Sequence, residues 1–286
     1  MKNRRKNGEG FMKKTLVWAH RGASAYAPEN TLAAFQLAAD LKADGVELDV
    51  QLTKDGELVV IHDETLDRVS GVSAWVKDLT CKELKKYNVN QKFPQFGPQY
   101  VPTLEEVYTL LKPTGLSANV ELKTGIIHYP DIEKKVLELE KEMEMQGRIV
   151  YSSFNHYSIR RIRSMKPDVE TGMLYQDGII GAVEYARHTV QADAVHPPLY
   201  HVQDPEFFEE CRRSRLKIHV WTVNEKAHMR YLCENLADAI ITNDPKLARE
   251  VVDEYEDGKL TPELVRKLEC CYDNRESKKA GCGDET

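Results

Sequence analysis

The sequence predicts a (β/α)8 barrel of the TIM type with a small insertion after the second strand. Strand-patterned and helix-patterned runs alternate along most of the chain, the signature of βα units around a parallel sheet. Eight strands remain once one short run is set aside as a hairpin partner, and eight such units in about 240 residues match the size of this barrel. The segment after the first strand, HRGASAYAPEN, lacks the Gly-x-Gly-x-x-Gly turn expected of the competing doubly wound open sheet.

The first strand is expected at 15–20, where LVWAH is apolar up to a terminal histidine. A helix follows from Asn30 to Ala43, with apolar residues at three- and four-residue spacing. The second strand is 45–52, GVELDVQL, and 57–62 is its extra hairpin partner. Residues 63–104 break the rhythm and are expected to form an inserted lobe, with Trp75, Phe93 and Phe96 as its own core in preference to a greasy rim for an acyl chain. The remaining strands are placed at 117–123, 149–154, 170–175, 193–196, 216–223 and 238–242, short runs mostly rich in Val and Ile. Helices are expected from Asp131 to Gln146, Pro205 to Ser214 and Pro245 to Tyr255. The barrel thus occupies 15–260, between a basic N-terminal extension at 1–14 and a polar, Cys-containing tail at 261–286.

With 41% hydrophobic and 30% charged residues, the 286-residue chain has a globular composition. Its net charge of −6 gives no broad positive field, so a nucleic-acid partner is not expected. No apolar run approaches the roughly 18 residues of a membrane span. No apolar core of a signal peptide follows the basic start, and the six cysteines lack metal-type spacing, so a cytoplasmic location is expected. Oligomeric state cannot be read from the sequence.

Glu47 and Asp49 stand two apart on one strand, so their carboxylates face the same side, the interior in a barrel. Inward acids repel unless one is protonated or a cation lies between them. Glu121, in NVELK, adds a third, and an all-oxygen set suits Ca2+ or Mg2+ better than zinc. An interior salt-bridge layer neutralised by Arg21 and Lys123 satisfies the same spacing. His20 and His62 end two apolar strands, at the carboxyl ends where barrel enzymes keep their chemistry, and such a pair can act as general acid and base. Arg21 and Lys123 suit phosphate oxygens or ordinary ion pairs. Trp221 walls the mouth or fills the core. His196 and the other histidines receive no role.

Taken together, HRGASAYAPENTLAAF at 20–35, DGVELDVQLTKDGELVVIHDETLDR at 44–68, PTLEEV at 102–107, NVELK at 119–123 and HVWTVN at 219–224 resemble the glycerophosphodiester phosphodiesterase family. The resemblance spans roughly residues 15–255. It implies an enzyme that binds one divalent cation and hydrolyses a small-molecule glycerophosphodiester to sn-glycerol 3-phosphate and an alcohol. Glu47, Asp49 and Glu121 would then be metal ligands and His20 and His62 the acid/base pair. Arg21 and Lys123 would hold phosphate oxygens, Asn30 would support the site, and Trp221 would line the substrate pocket. A lysophospholipase D-like enzyme and a non-catalytic diester-binding barrel are the alternatives.

Overall fold

The computed structural model describes residues 14–256. The expected basic extension therefore lies outside the described residues except for Lys14, and the expected tail lies wholly outside them. The strands are Leu16–His20 (β1), Gly45–Leu52 (β2), Leu58–Val60 (β3), Ser117–Leu122 (β4), Ile149–Ser153 (β5), Glu170–Leu174 (β6), Ala194–His196 (β7), Lys217–Val220 (β8) and Ala239–Thr242 (β9). All neighbours pair in parallel except β2 with β3, and β1 pairs with both β2 and β9, closing an eight-stranded barrel. Outer helices follow the barrel strands: Leu32–Asp40 (α1), then, after two short lobe helices Asp67–Ser70 (α2) and Cys81–Leu84 (α3), Leu104–Leu111 (α4), Ile132–Glu142 (α5) and His156–Met165 (α6). The circuit is completed by Ala182–Glu184 (α7), continued as a π-helical turn over Tyr185–Val190, and by Pro205–Arg213 (α8), Lys226–Glu234 (α9) and Pro245–Glu256 (α10).

Local chemistry sets the boundaries. The first helix starts at Leu32, not Asn30, because Asn30 takes a left-handed φ of 55° and Thr31 becomes the cap, accepting from the Ala34 amide. In PTLEEV, Thr103 and Glu106 form a reciprocal capping box that starts α4. The strand expected at 216–223 stops at Val220, and beyond it come an isolated Pro198–Trp221 bridge and a backbone bond from the Val223 amide to the Ile241 carbonyl.

Aliphatic side chains fill the space between barrel and helices, one cluster around Val46, Leu48, Val120 and Phe35, another around Val195, Ile218, Ile240 and Phe208. Residues 63–103 form a lobe over the β2–β3 edge whose core is aliphatic: Val59, Ile61, Leu66, Val76, Leu84, Val89 and Val101. The aromatic core expected there is not found. Trp75 is 44% exposed with Lys77 over its ring, and Phe93 and Phe96 pack edge-to-face on one another while partly exposed. The short 3-10 and α-helical turns bring branched aliphatics inward and leave the larger rings no room.

Inside the barrel, successive inward positions stack in layers. Trp18, Val150, Ala239 and Ile241 pack together. Beside them His219 Nδ1 and His196 Nε2 approach to 2.8 Å, and Trp18 lies 4.6 Å from His219, centroid to centroid. Gly172 makes room for His196, since a Cβ there would fall 2.1 Å from Nε2.

Candidate active site

Strand register assembles the acidic group. Parallel pairing sets Glu47 opposite His20 and Asp49 opposite Glu121, so residues distant in sequence share the mouth of the barrel. Glu47, Asp49 and Glu121 are buried, and each offers an oxygen within 4.8 Å of the others. Burial, then the charges of Asp49 and Glu121, push the Glu47 carboxyl well above its usual range. Glu121 is also raised by burial and by Asp49, although Lys123 opposes this. Asp49 moves the other way: burial is outweighed by Arg21, Lys123, His62 and the Asn30 hydrogen bond, so it stays ionised. Its Oδ1 is buried without a hydrogen-bond partner. Three oxygen donors, one of them orphaned and two disfavoured as anions, fit a hard divalent cation.

Two cations reach the same group. Lys123 Nζ lies 3.0 Å from Glu121 and 3.8 Å from Asp49, and Arg21 Nε lies 3.4 Å from Asp49. Arg21 has a left-handed φ of 55°, which turns its amide onto Glu47 Oε2 at 3.1 Å while its side chain folds back over Asp49. Such a conformation is uncommon for a non-glycine residue and clusters at functional sites. Gly22 follows at φ 80°, where a Cβ would strike Ala34 at 2.7 Å. Asn30 Nδ2 donates to Asp49 Oδ2 at 2.8 Å.

The histidines flank the acids. His20 Nδ1 lies 2.6 Å from Asn243 Oδ1, which accepts, so Nδ1 carries the hydrogen and Nε2 faces Glu47 at 3.9 Å. Burial, then neighbouring Arg21, lower the His20 pKa to about 4 despite that hydrogen bond. His62 Nδ1 donates to Asp63 Oδ1 at 2.6 Å, and Asp63 in turn accepts from Arg68. Arg68 and Arg21 both bind Glu29, so a ring of charge links the lobe to the barrel rim. Gln51, two residues beyond Asp49 on the same strand face, has its amide nitrogen 2.8 to 3.1 Å from the carbonyls of Ile61, His62 and Asp63, and steadies the turn that carries His62.

Trp221 stands apart from this group, with β9 between its strand and that of His20. Its Nε1 donates to the His196 carbonyl and its ring meets Phe154 edge-on at 5.6 Å. The structure thus brings His20, His62, Glu47, Asp49, Glu121, Arg21, Lys123 and Asn30 together and leaves Trp221 on the neighbouring wall. Sequence reasoning missed Glu29, Gln51, Asp63, Arg68 and Asn243. Four of them lie inside the motifs quoted above, and Asn243 carried only the weak signal of a polar residue just past the last strand.

The family model for glycerophosphoryl diester phosphodiesterases matches residues 20–247. A glycerophosphodiester phosphodiesterase from Caldanaerobacter subterraneus subsp. tengcongensis is 45% identical over 234 residues, 82% of this chain and 96% of that one. Among solved structures, a glycerophosphodiester phosphodiesterase from Thermotoga maritima superposes with a TM-score of 0.68 at 29% identity, covering 83% of this chain and 98% of its own. An Oleispira antarctica phosphodiesterase, solved in complex with the product sn-glycerol-3-phosphate, gives a TM-score of 0.75 at 25% identity, covering 84% of this chain and 97% of its own.

Proposed function

The chain belongs to the glycerophosphoryl diester phosphodiesterase family, enzymes that hydrolyse phosphoric diesters, and from that membership we propose how its own residues do so. The substrate is a glycerophosphodiester, and the products are sn-glycerol 3-phosphate and an alcohol. One observation carries the reading: the imidazoles of His20, which ends β1, and of His62, on the turn after β3, flank three buried carboxylates and two cations. Glu47, Asp49 and Glu121 hold one divalent cation, Ca2+ or Mg2+, which when bound sets positive charge against the phosphoryl oxygens.

Arg21 and Lys123 bind the remaining phosphate oxygens and oppose the charge that grows on them in the transition state. His20, kept neutral by burial and with Nδ1 committed to Asn243, has Nε2 free to accept a proton from the attacking water or from a neighbouring glycerol hydroxyl. His62, held by Asp63, gives a proton to the leaving alkoxide. Asn30 fixes Asp49, and Trp221 walls the pocket beyond the phosphate.

The test is release of sn-glycerol 3-phosphate from glycerophosphocholine by the purified chain, with and without chelator. Turnover is expected, with loss on chelation and recovery with Ca2+ or Mg2+. His20→Ala and His62→Ala are each expected to lower kcat by about 100-fold or more, with far smaller changes in KM. Undiminished activity in chelator removes the cation from the reading, and near wild-type turnover of either variant removes that histidine.

A further inference from the structure

Behind the groups that face the phosphate runs a chain of charges centred on Arg68. This residue stands on α2, a short helix of the lobe, with its side chain 35% exposed. Its Nε donates to Asp63 Oδ2 at 2.6 Å, and Asp63 Oδ1 accepts from His62 Nδ1 at 2.6 Å. The other edge of the same guanidinium meets Glu29, where Nη1 donates to Oε2 at 2.6 Å and Nη2 to Oε1 at 2.8 Å. Glu29 Oε1 also accepts from Arg21 Nη1 at 3.0 Å. One planar cation thus spans two carboxylates, one behind the His62 imidazole and one behind the Arg21 guanidinium. A lysine is a single point of charge on a flexible stem and has no such fork. The lobe holds α2 in place. Leu66, just before it, is fully buried in the lobe core, its amide donates to the Ala74 carbonyl, and the Ser70 hydroxyl donates to the Leu66 carbonyl.

Partly exposed ion pairs contribute little to stability, so the value of this fork lies in geometry. An acid or a phosphate clamp loses rate steeply when displaced, by about 100-fold for a shift of about 1 Å. We propose that Arg68 is a positioning residue for the reaction, fixing at once the ring that protonates the leaving group and the guanidinium that binds phosphate. The two effects run through different carboxylates. Asp63 holds the His62 ring by Nδ1, which leaves Nε2 for the departing oxygen. Glu29 braces one edge of the Arg21 guanidinium, whose Nε lies 3.4 Å from Asp49. The lobe then serves the chemistry through α2, which carries the fork that sets both. The proposal rests on the diesterase reading, because it takes His62 as the acid and Arg21 as a phosphate ligand.

The experiment uses the full chain with its cation and two diesters of unlike leaving group, glycerophosphocholine and the p-nitrophenyl ester of glycerol phosphate. Choline leaves as an alkoxide that needs a proton, whereas p-nitrophenolate leaves without one. Arg68→Gln is expected to lower kcat for glycerophosphocholine by about tenfold or more beyond any loss seen with the nitrophenyl ester, part of the roughly 100- to 10,000-fold that a general acid supplies. It is also expected to raise the inhibition constant of sn-glycerol 3-phosphate by about threefold or more, because Arg21 loses its brace. A merely structural residue would lower both turnovers alike. Asp63→Asn is expected to show the leaving-group difference without the weaker product binding, and Glu29→Gln the weaker product binding without that difference. This pair decides the matter if Arg68→Gln folds poorly. Equal losses for the two esters, an unchanged inhibition constant, or near wild-type values throughout overturn the proposal while the diesterase reading survives. Failure of the wild type to turn over either diester defeats the diesterase reading itself, and the proposal with it.

Discussion

Glu47 carries the highest electrostatic cost at the barrel mouth when no cation offsets it. Burial and two neighbouring acids raise its pKa above the unfolded value, so its contribution to metal-free stability is present at low pH and is lost as pH rises through the folded pKa. Glu47→Gln removes that repulsion and keeps an oxygen for the Arg21 amide. The variant is expected to be more stable than wild type at neutral pH in chelator, by about 1 kcal/mol or more. It should also lose the rise in Tm that Ca2+ or Mg2+ gives the wild type. Urea unfolding and thermal melts, with and without the ions, check both parts, and a destabilised Glu47→Gln in chelator contradicts the account. The acidic pair was legible in the sequence because strand geometry alone puts residues two apart on one face. Glu121 was legible for its place on another strand, but its pairing with Asp49 needed the register.

Among elements, β6 shows what pattern reading cannot supply. The glycine in ETGML looks like a weak point in a strand, yet Gly172 is the space in which the His196 ring sits. Gly172→Ala is expected to destabilise the protein by about 1 to 3 kcal/mol, the usual cost of overpacking, because backbone and ring both lie in a packed layer. Denaturant unfolding measures it, and an unchanged midpoint would mean that the ring moves freely. His196 received no role from the sequence because its partner, His219, lies on the next strand and nothing local announces the pair. The lobe was misread for a related reason. Its aromatic residues were conspicuous, but short turns with little internal volume bury branched aliphatics first.

At the scale of the whole molecule, the paired imidazoles make the barrel sensitive to acid. The contact at 2.8 Å needs one ring to donate and the other to accept, and burial lowers the His196 pKa from 6.5 to about 3. Below pH 6.5 the unfolded chain therefore takes up a proton that the folded chain refuses until about pH 3, so stability falls with falling pH across that window. The slope from this group is at most about 1.4 kcal/mol per pH unit. His196→Gln is expected to lose less stability than wild type between neutral pH and about pH 4, and parallel losses would assign the acid sensitivity elsewhere. The barrel itself was legible because its alternation is local to each unit and repeats eight times. Its closure was not, since that depends on the first strand meeting the last. One contact makes the meeting consequential: the partner that fixes the His20 tautomer, Asn243, lies 223 residues downstream. During synthesis His20 therefore precedes its partner by almost the whole barrel, and this hydrogen bond can form only after the last strand has been made.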